Sequence, residues 1–288
     1  MRQSVKRYRF AVLTVLSLLF CWLVFKADVI VAQQVADPNF NSSVAHPAYT
    51  TTAPTVLFDE AHLNFHTTQG RYKPFVDLIS NDGYRVVANR QGFEAETLAD
   101  YDILVIANAS SQQQGQPAFR EDECDLVRDW VRSDGSLLLI ADHKPFGAAA
   151  ENLASRFGIE MSNKFTVDLS HYDQDSGVPS FLLFSRKNKL LAKHPITQGR
   201  NSQERINRVM TFTGQSLSLP ASGQTLLHLS DSAIDLDERL KSAADFRAEQ
   251  GVSAADRARS GCGTAIWTRT SRYAGRSCND ICPIDSIE

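Results

Sequence analysis

The chain has 288 residues, 43% apolar and 22% charged, with a net charge of −3. That length suits one large domain or two small ones, and the composition is ordinary for a globular protein. A slightly acidic balance, with pI near 6.2, offers no basic footprint for a nucleic-acid partner, and no solenoid or propeller period recurs.

Arg2, Lys6, Arg7 and Arg9 make a basic start, followed by an apolar or small-residue run from Phe10 to Phe25 that Lys26 ends. The run is short for a membrane span, which takes about twenty residues. It fits the hydrophobic region of a signal peptide, with Ile30–Val31–Ala32 as a cleavage site. An uncleaved anchor is the alternative, because Val29–Ile30–Val31 carries apolar character past Asp28. Phe20, bulky before Cys21, argues against a lipoprotein. Residues 1–32 are therefore expected to be a signal peptide or anchor. The protein is expected to be exported, periplasmic or anchored in the cell envelope, touching membrane only through this segment. Residues 33–54 are polar, carry Pro38, Pro47 and Pro54, and read as a linker.

The domain proper is expected over residues 55–260. Val56–Phe58 reads as a first strand. Gly70 opens a helix whose Tyr72, Phe75, Val76 and Ile79 form an apolar stripe, ended by Asn81–Asp82–Gly83. Tyr84–Val87 is a second strand, Glu94–Ala99 a helical turn, and Ile103–Ala107 a third strand. Glu121–Arg132 is a helix with Leu126, Val127, Trp130 and Val131 inward and an acidic first turn suited to the helix dipole. Leu137–Ala141 is a fourth strand, and Pro145 starts a helix that Gly158 closes. Strands alternating with helices predict an α/β fold, a mostly parallel sheet with helices on both faces. Further on, Phe181–Phe184, Val209–Thr213 and Thr225–Leu229 read as strands and Leu236–Ala248 as a charged helix.

Two apolar runs end in acid and imidazole groups: the first at Asp59–Glu60–Ala61–His62, with Asn64 and His66 beyond, the fourth at Asp142–His143. Runs this apolar are strands buried on both faces, and ligands of open α/β sheets bind outside the carboxyl ends of such strands. Asp59, Glu60, Asp142 and His143 are thus the candidate catalytic groups, with Asp59 or Glu60 the expected partner of His143. His62, Asn64, His66, Arg71 and Asn108, which ends the third strand, are candidate ligand-binding groups. Structural readings stand beside these. Asp59 and Glu60 could satisfy a turn, Asp142 could cap the helix that Pro145 begins, and Gly70–Arg71 could hold an anion or be a solvated helix start. His62 and His66, four apart, would share a helix face as zinc-binding pairs do, but the segment reads as a loop, and no metal site is assigned. The loop Ser110–Pro117 reads as a lid or a plain solvent loop. His228 reads as structural, and His171 has no evident partner. The ligand expected is a small molecule or carbohydrate, and no cofactor is identified.

The segments V-L-F-D-E-A-H-L-N-F-H-T, G-R-Y-K-P-F, D-G-Y-R-V, D-I-L-V-I-A-N, G-S-L-L-L-I-A-D-H-K-P-F and H-P-I-T-Q-G, between about Thr55 and Leu229, resemble a family of exported bacterial proteins with a class I glutamine-amidotransferase-like, flavodoxin-like domain. The H-P-I-T piece, His194–Thr197, is shared more loosely with trehalose-utilisation-like proteins. The resemblance implies the fold and no particular activity. Amidotransferases of this fold use a Cys nucleophile after a strand. Here the comparable strand end carries Asp142–His143, and Cys124 falls inside a helix, so glutaminase activity is not expected. Two functions remain: a hydrolase or lyase on a small polar substrate, or a non-catalytic ligand-binding or assembly domain of the envelope.

Three of the five cysteines, Cys262, Cys278 and Cys282, fall in the last stretch. They could pair only partly in an exported protein, and a zinc site would lack ligands. The family resemblance implies a strand pair here, reading F-G-x-G-R-V-A-V-x-G-E-A-A-M. A one-nucleotide shift of the codons permits such text. Trp267–Thr268 forces a Gly, Thr268–Arg272 permits Gln-Gly-Arg-Val, and Tyr273–Asp280 permits Ala-Met-Leu-Gly-Glu-Ala-Ala-Met. Residues 261–288 are therefore expected to be a frameshifted, disordered or poorly packed tail.

Overall fold

A computed structural model describes residues 35–239 and the backbone of three later strands at 261–263, 265–269 and 280–282. It begins with β1 (Thr55–Asp59), α1 (Lys73–Asn81), β2 (Arg85–Asn89), α2 (Ala95–Ala99), β3 (Ile103–Ala107), α3 (Glu121–Arg132), β4 (Ser136–Ile140) and α4 (Phe146–Ser155). β1 pairs parallel with both β2 and β3, and β3 pairs parallel with β4. The resulting order β2-β1-β3-β4 follows the flavodoxin-like pattern through its fourth strand.

The inner strands are apolar on both faces because helices cover both. On one face Leu57, Leu104, Ile106, Leu137 and Leu139 pack with Val127 and Val131 of α3 and Ala150 and Leu153 of α4. On the other, Val56, Phe58, Val105, Leu138 and Ile140 meet Phe75, Val76 and Ile79 of α1. Each large side chain so buried contributes about 1.5–3 kcal/mol, so the two layers anchor the strands whose ends carry the candidate site.

α1 starts at Lys73 rather than Gly70, with Pro74 in its first turn. Gly70 and Arg71 belong to the preceding turn, where the Gly70 N–H donates to the Thr67 carbonyl. Part of the stretch expected as a linker is fastened to the far end of this helix. Asn81 Nδ2 donates to the Ser42 carbonyl at 2.8 Å, and the Ala48 N–H donates to Asp82 Oδ1 at 2.7 Å. Gly83 makes this contact possible. Its φ is +100°, and a Cβ there would lie 1.9 Å from the Tyr49 carbonyl oxygen.

Past α4 the strands are short: β5 (Glu160–Met161), β6 (Phe165–Val167), β7 (Leu183–Ser185), β8 (Arg208–Met210), β9 (Gln215–Ser218), β10 (Ile234–Leu236) and β11 (Gly261–Gly263), with α5 (Pro195–Gln198) between β7 and β8. They form three small antiparallel sheets, β11-β9-β5, β10-β6 and β7-β8. Thr225–Leu229, expected as a strand, forms none among the described residues and contributes the isolated bridge Leu191↔Leu227. Its Leu226 and Leu227 instead fill a third core cluster with Leu182, Phe184 and Leu191. Leu236 ends β10 and does not begin a helix. Residues 237–239 are not helical either, and the rest of that expected helix, from residue 240, lies outside the described residues.

Of the last stretch, the backbone of two strands joins the main sheet. β12 (Ala265–Arg269) lies antiparallel along β4, and β13 (Asp280–Cys282) lies antiparallel along β12. Without β12, β4 would present a row of unpaired backbone groups, and the Ile-Trp-Thr core of β12 suits a strand. Among the described residues no helix is long and apolar enough to cross a membrane. The N-terminal apolar run lies outside them.

Candidate functional site

β1, β3 and β4 run parallel, so Asp59, Asn108 and Asp142 emerge at one edge of the sheet. The strand order reverses between β1 and β3, which is where a ligand crevice opens in such sheets. Here the loop after β1 crosses that boundary. The Phe65 N–H donates to the Asn108 carbonyl, and the Ser110 N–H donates to the His62 carbonyl, both at 2.9 Å. The chain's own backbone bridges the boundary there.

Two clusters result. The inner one is built on Asp59, which is fully buried. Its Oδ2 accepts from His62 Nδ1 at 2.9 Å and Asn64 Nδ2 at 3.0 Å. Its Oδ1 accepts from the Ala61 N–H at 3.3 Å and Asn89 Nδ2 at 3.2 Å. The other ring nitrogen of His62, Nε2, faces Glu123 Oε1 at 3.3 Å. The imidazole thus bridges two carboxylates, between the rings of Phe93 and Phe119, each 4.7 Å away. Burial alone disfavours a charged ring. The bond to Asp59 and the charges of Asp59 and Glu123 outweigh it and raise the His62 pKa above the ordinary value. Glu123 moves the other way. Burial pushes it up, but the N–H groups of Arg120 and Phe93, with His62, bring its pKa below the usual carboxylate range. Gly92 leaves room for this carboxylate, since a Cβ there would sit 2.8 Å from Glu123 Oε1.

The outer cluster joins the ends of β3 and β4. Asn108 Nδ2 donates to Asp142 Oδ2 at 2.8 Å, and the Asp142 N–H donates to Asn108 Oδ1 at 2.9 Å. His66 Nε2 stands 3.9 Å from Asp142 Oδ2. Its buried Nδ1 has no hydrogen-bond partner among the described residues.

His143 pairs with neither Asp59 nor Glu60. Its Nδ1 donates to the Lys144 carbonyl at 2.6 Å and its ring stacks on Phe165 at 4.4 Å. A carbonyl only accepts, so the Nδ1 position carries a proton. Glu60 turns to Thr68, accepting from its N–H at 2.8 Å and its hydroxyl at 2.7 Å. Asp142 does not cap α4, whose N-cap is Pro145 with no side-chain cap bond. Arg71 is not at a helix start. Its guanidinium lies 3.9 Å over the Phe65 ring and donates to the Phe65 carbonyl. His62 and His66, on an irregular loop, serve different carboxylates, and among the described residues no group of three or more His, Cys, Asp or Glu is placed to hold a metal. His171, read as partnerless, meets Asp168 Oδ2 at 3.1 Å, and His228 is exposed rather than packed inside.

Glu123, Asn89, Phe93 and Phe119 complete the inner cluster and are not among the site residues expected from the sequence. Cys124 is fully buried. Burial drives its thiol pKa up to about 12, which leaves no thiolate for nucleophilic chemistry. A cleft of about 510 Å³ opens elsewhere, along the edge strand β2, with Arg90, Glu94, Glu96 and Asp100 on its walls. Of the two clusters' residues it includes Asn89.

The fold class these features define is a flavodoxin-like α/β sheet. The chain is similar to the N-terminal domain of mmIFT52, with TM-score 0.52 and 14% identity over 80% of this chain and 86% of that one. Similarity at that identity shows the shared fold alone. It also aligns with a ThuA-like protein from Bacteroides uniformis ATCC 8492, with TM-score 0.38 and 14% identity over 83% of this chain and 84% of that one. No protein-family model matches the chain, and no curated protein does.

Proposed function

We propose that this chain is an exported, non-catalytic ligand-binding or assembly domain of the cell envelope. Its acid–imidazole clusters build the sheet edge and perform no bond-breaking chemistry. The observation that carries the reading is the saturation of the inner cluster. Asp59 has no exposure and accepts from four donors, and both His62 nitrogens face carboxylates. A general base needs a free lone pair within reach of substrate, and none is left there. Export is supported by the basic start and short apolar run before residue 33.

The hydrolase or lyase reading keeps one observation in its favour, the incompletely bonded pair His66 and Asp142, whose side chain is 21% exposed. Purified protein should show no turnover of chromogenic ester, phosphoester or glycoside substrates. Turnover that disappears in Asp142→Asn would overturn the non-catalytic reading. N-terminal sequencing of protein recovered from the envelope tests export. A mature cytoplasmic chain starting at Met1 is the contrary result.

A further inference from the structure

We propose that the gap between His66 and Asp142 receives one hydroxyl group of an uncharged saccharide whose C–H face lies on Phe65. This deepens, and rests on, the binding-domain reading above.

The distance from His66 Nε2 to Asp142 Oδ2 is 3.9 Å, too long for a hydrogen bond. One oxygen atom about 2.8 Å from each fits beside that gap. A hydroxyl placed there donates to the carboxylate and accepts from Nε2–H. It is a simple ligand group that does both. The His66 ring is buried and packed between aromatic neighbours. It lies 4.6 Å from the Tyr72 ring and 5.1 Å from the Phe65 ring, and its buried Nδ1 has no hydrogen-bond partner among the described residues. Asp142 is held from behind by Asn108, so its orientation is set before any ligand arrives.

Next to this pair the surface is aromatic. Phe65 is 44% exposed, Phe146 is 5.7 Å from it, and His143 is 6.1 Å from Phe146. A few fixed polar groups beside aromatic faces form the common arrangement of a small-molecule site. Charge selects among ligands. The Asp142 carboxylate repels an anion, and a cationic ammonium group, which only donates, would leave His66 Nε2–H without an acceptor. A neutral polyol ring satisfies both limits.

The test titrates the full chain with glucose, galactose, mannose, N-acetylglucosamine, maltose and cellobiose at millimolar concentration. His66 and Phe65 ring signals are followed by NMR, with tetramethylammonium and inorganic phosphate as charged probes. Saturable shifts with at least one sugar are expected. Asp142→Asn and Phe65→Ala should each weaken binding about tenfold or more, as losing one charge-assisted hydrogen bond or one ring contact implies. Phe65 is exposed, so its variant keeps the fold, which thermal melting verifies. Three results overturn the proposal: no sugar bound, binding of a charged probe instead, or sugar binding unchanged in both variants. Product formation is read in the same samples. A sugar that binds and is converted overturns the non-catalytic reading while leaving the saccharide site in place.

Discussion

Asn108 and Asp142 hold each other by two hydrogen bonds across the ends of neighbouring strands, one through the Asn108 amide nitrogen and one through its amide oxygen. Asn108 achieves this with φ of +49°, a conformation Asn tolerates better than most residues. Asn108→Asp should therefore cost about 2–3 kcal/mol at neutral pH, because it replaces a donor with a second carboxylate beside Asp142. The loss should shrink as pH falls and one of the acids takes a proton. Urea melts at two pH values check this. An unchanged midpoint would show that the clasp contributes nothing.

His62→Gln should destabilise the fold by about 3 kcal/mol, since it leaves Asp59 and Glu123 buried without their shared cation. The pH dependence has a defined sign. The folded pKa of His62 is raised, so its contribution is fully present below the ordinary value of 6.5 and is lost as pH rises through the higher folded value. The folded pKa of Glu123 is lowered, so its contribution is present above 4.5 and is lost as pH falls through the lower folded value. Wild-type stability should decline as pH rises above 6.5 toward the raised folded value, and His62→Gln should flatten that limb. A parallel decline in both proteins would remove His62 as its source.

Native protein should resist thiol reagents at Cys124, with labelling only after unfolding, because the side chain is fully buried and its pKa is pushed up to about 12. No ammonia should be released from glutamine. Rapid labelling in native buffer, or glutaminase activity lost in Cys124→Ser, would reverse this.

Gly83→Ala should cost about 1–3 kcal/mol through its positive φ. It should also drive off the segment around Tyr49, whose carbonyl occupies the Cβ position. Limited proteolysis reads the second effect as new cleavage between residues 42 and 54.

We propose that the tail beyond about residue 261 is a shifted reading of the gene. Resequencing should reveal the alternate frame, and the corrected chain should be more soluble. Nucleotides lacking that frame would make the cysteine-rich tail genuine.

The parallel sheet was legible because its inner strands are short, doubly buried and punctuated by turn residues. Even the site's edge could be read, since Asp59, Asn108 and Asp142 each end an apolar run. Asn89 ends Val86–Val87–Ala88 in the same manner, a signal available in the sequence but weaker because β2 is an edge strand. Glu123 was legible only as a helix-start acid. Its role depends on α3 approaching the β1 loop, and no local pattern encodes that approach. The partner of His143 was misjudged for a similar reason: adjacency at a sheet edge does not fix which way neighbouring side chains turn. After α4, short strands in small separate sheets leave too little periodicity to read.

The loop over the β1–β3 boundary also changes how this segment should tolerate variation. Residues 59–66 have no regular structure past Asp59, yet they carry buried bonds on their backbone and side chains. In a saturation library, Asp59 and His62 should reject substitution as strictly as Leu104 or Leu139 do, while exposed Leu63 accepts polar replacements. A connecting loop would then show the mutational profile of a core strand.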